Sequence, residues 1–416
     1  MKHILTTILL LINSLILFPQ VILTIEGKEI IDTETGVSNG YIIPRSYVTK
    51  LTFRNNILAS VNSAGYILQA GDELPGVNNN KLDGASITGN RFTWSGTDLT
   101  SWTHALFTGY NIGVLIKYNY LDNTPNGIQR KSNGMTDLTG VVAYNIIKNP
   151  KVGIVVKGMN GVRIYNNTLY SEKTNLQSGR GLIDIHTNTD YDLNAPSTGV
   201  KVFNNIFYSK QDALLINVMD QMSLEGFASD YNVFYCEAGP PKFNAGGVVK
   251  SFADWQALGY DVHSVVINPE FNDFIDFVPA KRLNNGRDLG EEFSEGLATD
   301  AVWSTVNPKT VKQNGTWQAG ARIYAGEVTI EEPLESGTKI YPNPAYGSFY
   351  VLNNGLNTTY HTMKVYDMNG NMVMKRTIES GLNPITIPVY FTSGLYNIAL
   401  ENNSPDRIVK KILIIN

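Results

Sequence analysis

The chain has a single cysteine, Cys236, among 416 residues, so no internal disulfide framework is available and the fold has to hold through buried surface alone. Charge of either sign is also scarce: 33 Lys and Arg stand against 37 Asp and Glu, a formal net charge of -4. Nothing supplies the basic face that nucleic-acid binders carry, and that class is excluded. Beyond the N-terminal region no stretch is apolar and long enough to cross a bilayer. Helix-length apolar stripes are missing as well, which excludes a helical bundle.

What the chain does have is a repeat. An asparagine recurs as Asn56, Asn90, Asn119, Asn145, Asn167, Asn205 and Asn232. Phe53, Ile87, Ile116, Val142, Ile164 and Val202 stand three places before the first six, and the frame fails only at Ser229. Leu58, Phe92, Leu121, Ile147, Leu169, Phe207 and Phe234 stand two places after. A unit this short cannot bury an apolar face by itself, so the copies are read as stacked turns of a solenoid. Val114-Leu115-Ile116, Val162-Arg163-Ile164 and Val200-Lys201-Val202 alternate inward apolar with outward positions and are rich in β-branched residues, as strands should be. The asparagines fall where the chain must bend, at positions suited to left-handed backbone, and their amides are placed to bond from coil to coil.

This pattern resembles the right-handed parallel β-helix family over roughly residues 51–235. With 43% apolar residues the chain has ample core for that fold and for a second domain. Met1-Lys2-His3, the interrupted apolar run from Ile4 to Leu17 and Pro19-Gln20 suit a signal peptide over residues 1–23 rather than a membrane anchor, although no small-x-small cleavage site is visible. Residues 24–325 are assigned to the β-helix and its closing cap. Ser251 to Leu258 is expected to form a short capped helix there, and the region from Asp230 to Phe271 resembles the closing layout of bacterial β-helix proteins associated with carbohydrate processing. The acidic, aperiodic residues 326–338 read as a linker.

The last module, 339–416, shows short alternating strands divided by turns and is expected to be a small antiparallel β-sandwich. Its opening Tyr341-Pro342-Asn343-Pro344, the turn from Val365-Tyr366-Asp367 to Gly370, the strand Gly394-Leu395-Tyr396 and the basic-then-apolar end Lys410 to Ile415 resemble the C-terminal sorting domain of the type IX secretion system. The resemblance implies export across both membranes, the type IX machinery as partner, and a secreted or outer-surface location with no transmembrane segment in the mature chain.

Aligning the later strands of successive coils sets Ile128-Gln129-Arg130-Lys131 against Ile154 to Lys157, Ile183-Asp184-Ile185-His186 and Leu214 to Asn217. Lys131, Lys157, His186 and Asn217 then share one outward column, to which earlier coils add Gln69 and Thr108. Coils stack about 4.8 Å apart, and Asp184 faces the same way as His186. Such a cluster suits β-elimination on an acidic polysaccharide: a base removes the proton beside a uronate carboxylate while a cation stabilises the enolate. Lys131 and Lys157 disfavour each other's protonation, so one is assigned as base and the other as carboxylate ligand, with His186 as the replacement base. Asp184, Asn217, Gln129, Arg163 and Arg180 are assigned to substrate binding.

β-Helix polysaccharide lyases use Lys or Arg for this work, which is what the resemblance implies. No cofactor is expected, except that Asp190 and Asp192 in the following loop offer a calcium site, as some lyases of this fold require. Arg130 faces inward without an evident partner, so the register is open to a shift of one. Glycoside hydrolysis would need paired carboxylates, and the column offers only Asp184. The alternative is a non-catalytic glycan-binding or adhesive surface protein that grips sugar through Tyr118, Tyr144 and Trp102.

Overall fold

The apolar, two, asparagine, one, apolar frame places one short strand on each side of a sharp bend, and each coil adds a third strand after a loop. In a computed structural model of the chain, which describes residues 21–32, 39–43, 48–61, 65–71, 82, 84–96, 104–172, 179–313, 315–325, 337–346, 348–354, 362–377, 385–388, 390–401 and 407–415, these strands stack in register. The apolar run Ile4–Leu17, Trp102 and most of the linker lie outside the described residues. Three long sheets result. The first runs from Ile22–Glu26 to Ala228–Asp230, the second from Glu29–Asp32 to Val265–Val266, and the third from Asn39–Ile43 to Lys242–Ala245, with Val248–Ser251 added antiparallel at its end. Every third strand in sequence is a neighbour in space and all other pairs are parallel, which is the topology of a parallel β-helix.

Stacking begins one coil earlier than the asparagine repeat announces. Ile22–Glu26 pairs with Lys50–Arg54, so Ile22 and Leu23, read from sequence as leader, are strand residues. That coil has Gly27 and Lys28 at its bend, and the Lys28 amide donates to Asn56 Oδ1 at 2.9 Å.

The seven asparagines form a continuous internal ladder. In Asn119 the backbone amide and Nδ2 donate to Asn145 Oδ1 at 3.0 and 2.9 Å, and Asn145 does the same to Asn167 at 3.0 and 2.9 Å. Nδ2 of Asn145 also reaches the Ile116 carbonyl at 2.9 Å. The left-handed residue, however, is the one before each ladder asparagine: Asn55, Gly89, Tyr118, Tyr144, Asn166, Asn204 and Tyr231 all have positive φ. The division of labour is physical, since the bend needs left-handed backbone at one position and an inward amide at the next. The last rung, Asn232, donates to Asp261 Oδ1 at 2.8 Å, and Trp255 Nε1 of the cap donates to Asp261 Oδ2 at 2.7 Å. Trp255 lies on the helix Phe252–Ala257, capped by Ser251 Oγ as its sequence predicts.

Inside the coils, Leu68, Leu106, Ile128, Ile154, Ile183, Ile216 and Phe243 stack in one buried column of the third sheet. Burying each such side chain stabilises by about 1.5–3 kcal/mol before entropy is counted. Residues after the cap do not simply close the last coil, as the sequence suggests. Residues 270–313 and 315–324 return along the outside of the first two sheets, where Phe271, Phe274, Phe277, Phe293, Trp303 and Trp317 pack on Tyr118, Tyr120, Tyr144, Tyr165, Tyr170 and Tyr208. Trp303 Nε1 donates to the Tyr118 carbonyl at 2.7 Å, and Tyr118 Oη to the Glu295 carbonyl at 2.8 Å. Bulky aromatics at the bends leave an apolar outer wall, and this strap covers it. Tyr118 and Tyr144, which the alternative glycan-gripping reading offers as sugar platforms, are therefore packing residues.

The chain divides into two units, 1–326 and 327–416. The second contains a sheet of seven strands closed on a core of Phe349, Val351, Met363, Val365, Ile387, Tyr396, Ile398, Leu400, Ile412 and Ile414. Its pairs are antiparallel except where Ala345–Tyr346 meet Ile414–Ile415 in parallel.

Candidate functional site

The third sheet turns two side-chain columns outward. One contains Gln69, Phe107, Gln129, Val155, Asp184 and Asn217; the other contains Gly71, Gly109, Lys131, Lys157 and His186. Three placements differ from the sequence alignment. Asn217 pairs with Asp184 instead of His186, Gln69 belongs to the column of Asp184, and Thr108 is an inward neighbour of Arg130. The loops between coils differ in length, so aligning apolar residues misplaces Asn217 and Gln69 by two positions, which keeps them on the outward face, and Thr108 by one, which turns it inward.

Arg130 does face inward, with no slip. It is 1% exposed, and its Nη2 meets Asp137 Oδ2 at 2.6 Å while Nη1 donates to Thr108 Oγ1 at 3.0 Å and Asn111 Oδ1 at 3.2 Å. The missing partner is the carboxylate of Asp137, the residue directly after the same strand, Asn126–Thr136.

Over the outward columns lies a cleft of about 340 Å³, lined by Tyr66, His104, Phe107, Gln129, Lys131, Lys157, Arg180, His186 and Asp190 among others. Five of the predicted residues meet here: Lys131, Lys157, His186, Gln129 and Arg180. Arg163 does not. It lies on the first sheet, where it reaches Glu292 of the strap at 3.3 Å, the Thr139 carbonyl at 2.9 Å and the Phe293 ring at 5.0 Å. Asp184 and Asn217 sit beneath the cleft as fully buried supports. Asp184 accepts from Asn217 Nδ2 at 2.8 Å and the Gly181 amide at 2.7 Å, and meets Arg180 Nε at 2.5 Å. Burial pushes its carboxyl up to about 6, against the pull of Arg180 and these hydrogen bonds.

Asp190 has a role the sequence did not suggest. Its Oδ1 lies 2.6 Å from Lys157 Nζ and its Oδ2 lies 2.9 Å from Lys131 Nζ. The like-charge repulsion expected between the two amines is thus compensated by a carboxylate shared between them. Burial raises the Asp190 carboxyl, but the two lysines outweigh it and hold the group below the usual carboxylate range. This also commits the first of the two calcium ligands proposed from sequence; Asp192 is exposed, and among the described residues no group of three or more His, Cys, Asp or Glu could hold a metal. The loop is closed at its base by paired backbone bonds between Asn188 and Ala195, and Asn188 Nδ2 donates to the Ser132 carbonyl at 2.7 Å. At its tip Tyr191 and Asp192 are both left-handed, with φ of 57° and 60°. Such backbone costs about 1–2 kcal/mol per residue. The Tyr191 ring lies 5.6 Å from the Lys131 ammonium.

His186 differs from the lysines in having a bare nitrogen. Its Nδ1 lies 2.9 Å from the Thr187 carbonyl, which can only accept, so Nδ1 carries the proton and Nε2 holds a lone pair. Nε2 is shielded from solvent and meets no hydrogen-bond partner among the described residues. Burial lowers the ring to about 4, with the charges of Arg180 and Lys157 adding to it against the Thr187 bond. At neutral pH it is an uncharged imidazole beside three cations.

The far wall, with Tyr66, His104 and Phe107, is a cluster that sequence reasoning missed. Tyr66 lies 4.8 Å from Phe107 and 5.4 Å from His104, centroid to centroid. The signal was present in the third-strand alignment, since Tyr66, His104 and Asn126 occupy equivalent positions in successive coils.

Residues 339–415 match the family described as the secretion system C-terminal sorting domain. No curated protein and no solved structure matches the chain. The module directs the protein through the type IX system to the cell surface or the extracellular space.

Proposed function

We propose that the third-sheet cleft binds an anionic, uronate-containing polysaccharide outside the cell and cleaves it by β-elimination, with His186 as the base. The observation that carries this reading is the state of His186: neutral, locked in one tautomer, with an unpartnered, solvent-shielded Nε2, on the wall of a cleft that also holds Lys131, Lys157 and Arg180. A base must be unprotonated and within reach of an acidified C–H, and a nearby cation must hold the carboxylate whose charge delocalises as the proton leaves.

Nε2 takes the proton from the carbon beside the uronate carboxylate. The electron pair forms the new carbon–carbon double bond as the glycosidic carbon–oxygen bond breaks, and the departing oxygen takes a proton from water. Lys157 and Lys131 neutralise the carboxylate, while Arg180, fixed by Asp184 beneath it, adds positive field. Tyr66 and Phe107 offer an apolar wall for a sugar ring. The base assigned from sequence to a lysine thus passes to histidine, because both amines already share a carboxylate partner.

The secreted protein is offered a panel of uronate polymers while the ultraviolet absorbance of the unsaturated product is followed. Product formation that is lost in His186→Gln supports the reading. Binding without product, in the wild type, leaves the cleft as a glycan-holding surface of a non-catalytic protein. That second reading draws on the same three cations and the aromatic wall.

A further inference from the structure

We propose that Asp190 is a resident plug in the carboxylate seat, which only an incoming carboxylate displaces, so that the cleft opens to acidic glycans and stays closed to neutral ones. The inference rests on the acidic-glycan reading of the cleft and goes beyond it by assigning the gate.

The geometry is that of a ligand. Each oxygen of Asp190 faces one ammonium, 2.6 Å to Lys157 and 2.9 Å to Lys131, as a bridging substrate carboxylate would. Lys131 is 3% exposed, and its shielding comes in part from this loop, with Tyr191 also over it. Asp190 is nevertheless not part of the sheet. It hangs from a loop pinned at Asn188 and Ala195, with two successive left-handed residues immediately after it. Strain at the tip is stored against the two ion pairs that hold the loop down.

Opening the loop alone would leave one buried and one half-buried ammonium without a counter-charge, which is unfavourable. Opening it in exchange for another carboxylate leaves the seat paired throughout. A neutral sugar offers no such exchange, so rejection of neutral glycans follows from the same contact. Two ammoniums against one carboxylate also leave a positive charge over, which attracts an anionic chain while the plug is still in place.

The test uses the full chain, trigalacturonate and its carboxyl-reduced, neutral analogue, with binding measured by calorimetry. A plug closed in more than about nine molecules of ten lowers apparent affinity more than about tenfold, so Asp190→Asn should bind trigalacturonate at least about tenfold more tightly than wild type. Asp192→Asn removes the same charge two residues away and should change affinity little. The neutral analogue should bind none of the three measurably. In the wild type, trigalacturonate should speed hydrogen exchange at the amide of Leu193, which is bonded to the Asp190 carbonyl in the loop tip, a readout independent of any variant's folding. Unchanged or weakened binding by Asp190→Asn, equal tightening by Asp192→Asn, unchanged loop exchange or absence of uronate binding in every form overturns the plug. Tightened binding with no unsaturated product overturns only the elimination reaction.

Discussion

Arg130 and Asp137 form an ion pair at 2.6 Å whose two side chains are 2% and 1% exposed, inside a solenoid whose core is mainly apolar. Asp137 also accepts from the amides of Gly140 and Gly113 at 2.6 and 2.9 Å, so it holds the turn of its own coil and that of the coil before. The pair joins strand, loop and neighbouring coil at one carboxylate.

Removing either partner should be far more damaging than a surface charge change. Arg130→Met leaves Asp137 buried and uncompensated, and a loss of about 3–5 kcal/mol is expected. Denaturant unfolding of the wild type and variant measures it. A loss below about 1 kcal/mol would show that Asp137 is satisfied by its amide donors alone.

The asparagine ladder should be most sensitive at its middle. Asn145→Ala deletes the acceptor for Asn119 and the donor to Ile116 and Asn167, leaving buried groups unpaired at about 1–3 kcal/mol each. Asn56→Ala, at the open end, strands fewer groups. The ordering of their unfolding midpoints checks the account, and equal effects would contradict it.

Two buried titrations oppose each other at the cleft. His186 ionises at about 4 when folded against 6.5 when exposed, so the unfolded chain binds more protons between these values and stability rises with pH across that window. Asp184 ionises at about 6 against 3.8, so the folded chain keeps its proton longer and stability falls as pH rises from 3.8 to 6. The wild type should therefore vary little over that range. Asp184→Asn should gain stability with rising pH, and His186→Gln should lose it; three parallel curves would refute both assignments. If His186 is the base, the acid limb of turnover should also lie near pH 4 rather than near 6.5.

Export should depend on the terminal module. A chain lacking residues 339–415 is expected to accumulate inside the outer membrane, visible by cell fractionation. Its appearance in the medium in normal amounts would refute the sorting role.

Much of the architecture was legible because a solenoid writes its contacts locally. Asn119 and Asn145 occupy the same place in consecutive units, so their adjacency in space follows from the repeat. The cleft was only half legible. Lys131, Lys157 and His186 align through strands of similar pattern, whereas Asn217 was displaced by two because the alignment had no loop geometry to anchor it. The strap over Tyr118 and Tyr144 was not legible at all, since residues 270–324 have no period that announces which wall they cover.

The one-dimensional order of apolar residues, asparagines and turn signals was enough to determine a stacked β-helix, an exported chain and a separate sorting module, because each depends on neighbours in sequence or on exact repetition. Which groups face one another across loops was decided only by the tertiary structure. Asp190 reaches the two lysines, Asp137 reaches Arg130, and the strap closes two walls while the third sheet keeps its cleft. Those contacts depend on how irregular loops fold back, and loop geometry is set by the packing they meet rather than by any pattern they carry.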